Sequence, residues 1–232
     1  MLHIIIPPLT PLWWKMILFS ALIICLPIIL AKYYPGKTDL IRKFLGSIFV
    51  STAILIHPFL IATGAWKLQS SLPLQLCSLS GILSGVVLLY PTQLGYEFLM
   101  YWGISGAVHS LITPELTQGN GNFILFEYYI SHSGIIGSGL FLTFCCNIGL
   151  RKNSWIKIFL FTQLLLPVIG MADYFLDANY MYLRSRPEVN NPLIIGKWPL
   201  YLICFEALLL IHFYIVYLLF YRAPKRALNV NN

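Results

Sequence analysis

The chain has 232 residues, 58% of them hydrophobic and only 10% charged, with a mean hydropathy of +0.77. A soluble domain carries about 25% charged residues, so this composition excludes a soluble enzyme or regulatory domain and fits an integral membrane protein. The formal net charge of +7 is explained by Lys and Arg in cytoplasmic loops and calls for no nucleic-acid partner.

Hydropathy and breaker residues predict an all-α fold: a polytopic transmembrane bundle of about seven spans forming a single domain. A tail with Pro7, Pro8 and Pro11 precedes the first span, 12–34, which has Trp13 and Trp14 at one end, Tyr33 and Tyr34 at the other, and Pro27 inside. No small-residue cleavage site follows this run, so it reads as a retained span rather than a signal peptide. The further spans are 44–64, 72–90, 94–113, 123–150, 155–176 and 198–221. Gln118 to Asn122 is a turn-forming run, 177–197 is the longest polar loop, and the chain ends in a basic tail. With the N-terminus outside, Lys32, Lys37, Arg42, Lys43, Arg151, Lys152, Lys157, Arg222, Lys225 and Arg226 are cytoplasmic, against Lys15, Lys67, Arg184, Arg186 and Lys197 outside. That asymmetry predicts an N-out, C-in topology.

The stretch from Ser71 to Gly81 reads as the start of the third span, with Pro73 in its first turn. Cys77, Ser80, Gly81 and Ser84 then share one small, polar face. Cys25, Cys77, Cys145, Cys146 and Cys204 all lie in apolar runs without C-x-x-C spacing, so no disulfide framework is expected. Ionisable groups inside spans are costly, and here they collect in one half of the bilayer. His57, Cys77, His109, His132, Asp173 and Glu206 come from six different spans and all fall in the outer half; Glu97 lies near the inner surface, within reach of water. Each residue also has a plain structural role open to it. Cys77 can be a small hydrophobe at a helix contact, and His109 can hydrogen-bond across one. Asp173 can orient a His or cap its span, and Glu206 can pair with Arg184 or Arg186.

Chemically, the set permits a thiolate held by a His with a carboxylate behind it, since a nearby His or a helix N-terminus favours the thiolate. No metal and no other cofactor are expected, because the spacing contains no ligand motif such as H-E-x-x-H. The residues alone leave three classes open: a cysteine enzyme, a small-solute or proton-coupled transporter or channel using the His/Asp/Glu cluster as a relay, and a structural or assembly protein.

Leu74-Gln75-Leu76-Cys77-Ser78-Leu79 is followed in order by Phe98 to Gly106 with Leu111-Ile112-Thr113-Pro114, by Ser131-His132-Ser133-Gly134, by Asn179-Tyr180-Met181-Tyr182-Leu183 and by Trp198-Pro199. Over 72–201 this pattern resembles the bacterial YwaF-type integral membrane family, which is similar to the eukaryotic transmembrane protein 164. This chain has Gln75 where many bacterial relatives have His. The resemblance implies a phospholipid acyltransferase, or a lipid hydrolase if water replaces the acceptor, in the bacterial cytoplasmic (inner) membrane. Its substrates would be a phospholipid and a lysophospholipid. Cys77 matches the family's nucleophile and His132 its functional histidine, with His109, Asp173 and Glu206 in supporting positions. On this reading the loop that carries Arg184 and Arg186, flanked by Tyr180, Tyr182 and Trp198, sits above the site. Either arginine is then placed to hold the lipid phosphate, the other role open to the two being to pin the loop by pairing with Asp177, Glu188 or Glu206.

Overall fold

The structure, a computed structural model, describes residues 4–116, 121–188 and 194–221. The expected basic tail from Arg222, with Lys225 and Arg226, and most of the turn-forming run from Gln118 lie outside the described residues. Seven helices form one bundle: α1 (Pro11–Tyr33), α2 (Thr38–Ala62), α3 (Leu76–Leu89), α4, α5 (Asn122–Cys145), α6 (Ser154–Leu176) and α7 (Leu200–Phe220). Helix α4 is one continuous rod, built from an α-helix Gln93–Phe98, a π-helical turn Leu99–Gly103 and a second α-helix Ile104–Ile112. Its start is set by Thr92, whose hydroxyl accepts the Gly95 N–H at 3.2 Å. Thr10 likewise opens α1 ahead of Pro11, a residue suited to the first helical position.

Among the described residues, four stretches are long and apolar enough to cross a membrane: Pro11–Tyr33, Pro35–Ala62, Ser154–Leu176 and Leu200–Phe220. They expose large apolar side chains such as Leu18, Leu55, Leu164, Phe175 and Leu219, which water would not tolerate in such number and a lipid surface does. Helix α5 differs. It is enclosed by α1, α2, α3 and α4, and its buried face is Tyr129, Ser133, Gly134, Ser138 and Gly139 among others. A helix surrounded by protein needs small residues more than lipophilic ones. Gly134 illustrates the constraint, because a Cβ there would sit 2.2 Å from the ring of Phe49. The small face expected on α3 also faces two ways. Gly81 points at Ser131 of α5, while Gly85 lets the α2 backbone approach so closely that a Cβ would lie 2.8 Å from the Val50 nitrogen.

Three expectations need correction. The third helix begins at Leu76 rather than Leu72, so Pro73 lies in a turn segment before it. A long-range contact overrides the local helix signal here: the Tyr180 hydroxyl accepts the Leu72 N–H at 3.0 Å and donates to the Leu68 carbonyl at 2.7 Å. Helix α5 ends at Cys145, not near Leu150. Ile148 and Leu150, which prolong the apolar run, are buried in irregular chain that turns back against the helix end, the Ile148 N–H donating to the Leu142 carbonyl at 3.1 Å. Glu97 does not reach water. It is wholly buried, and the half-exposed Arg151 grips it with two bonds of 2.8 and 2.7 Å. The Arg151 amide and Gln93 Nε2 donate to the same carboxylate, each at 3.1 Å.

The segment 4–13 is tied down by a short antiparallel pair, Ile4–Ile5 with Glu115–Leu116, and by Trp13 Nε1 donating to the Ile112 carbonyl at 3.0 Å at the end of α4. Breaking the Glu97 pair tests how much the bundle leans on it. Arg151→Ala strands a buried carboxylate, and we expect a loss of about 3 kcal/mol, the low end for a buried pair because Arg151 itself is half open to solvent. A thermal-unfolding midpoint in detergent that stays within error of the wild type would show that Glu97 is solvated or protonated instead.

Candidate functional site

Helices α2 to α7 leave a cavity of about 470 Å³ between them, a size common for small-molecule sites. Of the six groups that the sequence places in one half of the bilayer, five line it: His57, Cys77, His109, His132 and Glu206. Asp173 does not.

Cys77 is the second residue of α3. Among the described residues no acceptor is found for the amides of Leu76, Cys77 and Ser78, the usual orphan donors of a helix start. The thiol lies 3.7 Å from Ser110 Oγ on α4. Ser110 donates its own proton to the Gly106 carbonyl at 3.1 Å, so the thiol is the donor in the pair. Gly106 makes room for the sulfur: a Cβ there would come within 3.1 Å of Sγ.

His132 Nδ1 lies 2.7 Å from the Tyr128 carbonyl one turn earlier on α5. A carbonyl only accepts, so Nδ1 carries the proton and Nε2 keeps its lone pair. No hydrogen bond joins Cys77 to His132; the two side chains meet only as walls of one cavity. His109 Nε2 is 2.9 Å from Nε2 of His212 on α7. His212 Nδ1 is committed to the Leu208 carbonyl at 2.6 Å, so His212 accepts and His109 donates. This is the cross-helix bond that was one of the two roles open to His109. The sequence reading passed over its partner, His212, although a histidine inside an apolar helix is itself the signal. Glu127, also on the cavity wall, was passed over in the same way.

The remaining residues take structural places. Glu206 accepts from Gln163 Nε2 at 2.6 Å and touches neither arginine. Asp173 Oδ1 accepts the Tyr180 N–H at 2.7 Å, which ties the following loop to the end of α6, and it orients no histidine. Arg184 pairs with Asp177 at 2.7 Å, and its side chain also donates to the carbonyls of Asp173 and Ala178. Arg186 makes no ion pair among the described residues; with Lys197 and Trp198 it lines a second hollow on the loop. Tyr180 is buried as a tether between the loops, while Tyr182 lines the main cavity. Gln75, the N-cap of α3, reaches over to the same loop, where its Oε1 accepts the Met181 N–H at 2.7 Å. Among the described residues no cluster of three or more His, Cys, Asp or Glu has metal-holding geometry.

The fold and the cavity thus define an integral membrane protein, a helical bundle with a largely apolar pocket whose wall includes a cysteine and histidines. The chain belongs to the TMEM164 family, whose family model matches residues 8–217. Neither the curated proteins nor the solved structures contain a match to it.

The His109–His212 bond can be weighed by a double-mutant cycle. Each single Ala variant should lose about 1 kcal/mol of stability, and the double variant should lose less than the sum of the two. Strict additivity would mean that the two rings do not share a proton.

Proposed function

We propose that this chain moves a fatty acyl group between phospholipids through an acyl-cysteine on Cys77. The observation that carries the reading is one cavity walled both by Cys77, at the start of α3, and by His132, whose Nε2 has a free lone pair. His132 Nε2 takes the thiol proton. The thiolate then attacks the ester carbonyl, and the lysolipid oxygen leaves with the proton from His132. In the second half, an acceptor lysophospholipid hydroxyl gives its proton to His132 and attacks the thioester, returning the thiol. The unpaired amides at the helix start favour the thiolate. An apo geometry without a Cys–His bond is compatible with this, because such bonds often tighten only with substrate. The phosphate falls to Arg186 more readily than to Arg184, whose guanidinium is already engaged by Asp177.

Cys77→Ser and His132→Ala should each lower acyl transfer at least about 100-fold, the scale of losing an activated nucleophile or its base. Ser at Cys25, Cys145, Cys146 and Cys204 should leave it within about twofold, as expected for positions outside the machinery. Transfer that survives Cys77→Ser would end the acyl-cysteine reading. The second reading, a proton-coupled transporter, is favoured by one observation, the His109–His212 bond across α4 and α7. It requires no thiol, so solute or proton movement that is unaffected by Cys77→Ser would select it.

We also propose the N-out, C-in orientation, supported by the distribution of Lys and Arg between alternate loops. A C-terminal reporter active only in the cytoplasm is the expected result. A reporter active only outside would reverse the bundle and move the cavity to the other leaflet.

A further inference from the structure

An acyl-cysteine mechanism needs hydrogen-bond donors aimed at the carbonyl oxygen as it becomes an oxyanion. Two phenols line the cavity near Cys77, Tyr128 and Tyr182. The Tyr128 hydroxyl is already committed, donating to the Ser110 carbonyl at 2.9 Å. The Tyr182 hydroxyl makes no hydrogen bond among the described residues, although its backbone groups are fully engaged.

The way Tyr182 is held is unusual. Met181 and Tyr182 are consecutive non-glycine residues in the left-handed region, with φ of 53° and 57°. Such residues cost about 1 kcal/mol or more each and persist where surrounding contacts over-determine them. Here every amide from Tyr180 to Ser185 has a partner. Asp173 takes that of Tyr180, Gln75 that of Met181, the Asn179 carbonyl that of Tyr182 and the Tyr180 carbonyl that of Leu183. The Asn179 side chain takes those of Arg184 and Ser185. The Tyr201 hydroxyl donates to the Tyr182 carbonyl at 2.6 Å, and Trp198 Nε1 donates to that of Leu183 at 3.1 Å. The Gln75 bond matters most, since it joins this loop to the residue that caps the cysteine's own helix, two positions before Cys77. The strained segment is therefore registered against the nucleophile.

We infer that Tyr182 is a catalytic residue, its phenol O–H donating to the oxyanion that forms when Cys77 attacks the lipid ester, and that Gln75 is the positioning residue that sets it there. The inference rests on the acyl-cysteine reading. In the step, the sulfur–carbon bond forms, the carbonyl π pair moves onto oxygen, and Tyr182 with the Cys77 amide stabilises that charge without transferring a proton. The pair then returns as the carbon–oxygen bond to the lysolipid breaks, and His132 protonates the leaving oxygen. Burial, followed by the neighbouring Glu115 and Cys77, pushes the Tyr182 phenol's pKa up, so it stays a donor throughout.

The test uses the full chain in phospholipid nanodiscs, with two reactions followed at the Cys77 peptide by mass spectrometry. One is acylation by the phospholipid. The other is alkylation by iodoacetamide, a displacement that forms no oxyanion. Tyr182→Phe should slow acylation about 100-fold, the usual cost of one oxyanion donor, with alkylation within about twofold of the wild type, because thiol and fold are untouched. Gln75→Ala should lower the ratio of acylation to alkylation in the same direction by a smaller factor. Unchanged acylation in Tyr182→Phe overturns the inference, as does a parallel fall in both reactions, which would make the loop structural. A wild-type chain that alkylates but never acylates would instead remove the acyl-cysteine reading itself.

Discussion

A polar group at membrane depth must be paired within the protein or open onto a cavity, since hydrocarbon offers it nothing. Helix α4 shows both answers to that constraint. At one end of α4, Glu97 is enclosed and fully matched by Arg151, Gln93 and the Arg151 backbone. Toward the other end, beyond the π-helical turn, Ser105, Gly106, His109 and Ser110 face the cavity. The turn itself is anchored by two buried hydrogen bonds, from Trp102 Nε1 to Thr162 at 2.8 Å and between Tyr101 and Ser154 at 2.7 Å. The closed network and these anchors hold α4 against α6 and the segment before it. The polar wall of the cavity can then stay open without the bundle rearranging to satisfy it.

The same constraint shows in the partners that individual side chains find. Asp173, Glu206 and Arg184 each have a partner that accounts for their presence: the Tyr180 amide, Gln163 and Asp177. Several side chains with spare capacity line the cavity: the His132 Nε2 lone pair, the His109 Nδ1 lone pair, the Tyr182 hydroxyl and the carboxylate of Glu127, for which no hydrogen bond is found among the described residues. Others lie away from it, among them the hydroxyls of Tyr129, Ser133 and Ser138 and Asp173 Oδ2, which are buried without a partner. An unmet buried donor or acceptor costs about 1–3 kcal/mol. Those on the cavity wall share that wall with one thiol, Cys77.

What was legible in the sequence follows the range of the interactions involved. Helix number and type are set by local hydropathy, so the seven helices were readable, and so was the gathering of His57, Cys77, His109, His132 and Glu206 on one side. The errors fall where distant contacts decide. Nothing near Leu72 predicts that the Tyr180 hydroxyl will hold it out of the helix. Hydropathy gives Ile148 and Leu150 the same weight whether they extend a helix or turn back as buried irregular chain. Glu97 was placed near the surface, where its depth alone would allow water; only the fold brings Arg151 over it. His212 and Glu127 are a different case. Their signal, an ionisable side chain inside an apolar helix, was present and was applied to their neighbours but not to them.

Gln75 ties these threads together. From sequence it was a polar residue of uncertain use just before the cysteine. In the fold it caps α3, leaves the first amides of that helix unpaired, and spends its side-chain oxygen on Met181 more than a hundred residues away. An N-cap side chain ordinarily accepts from its own helix. Here that local bond is forgone for one to a strained loop, so the helix start keeps its donors and the loop keeps its register. Both outcomes serve the surroundings of one sulfur atom. The chain gives up local helix capping here and tolerates two left-handed residues in the loop, so the start of α3 and the Met181–Tyr182 segment are held as one unit beside the cavity.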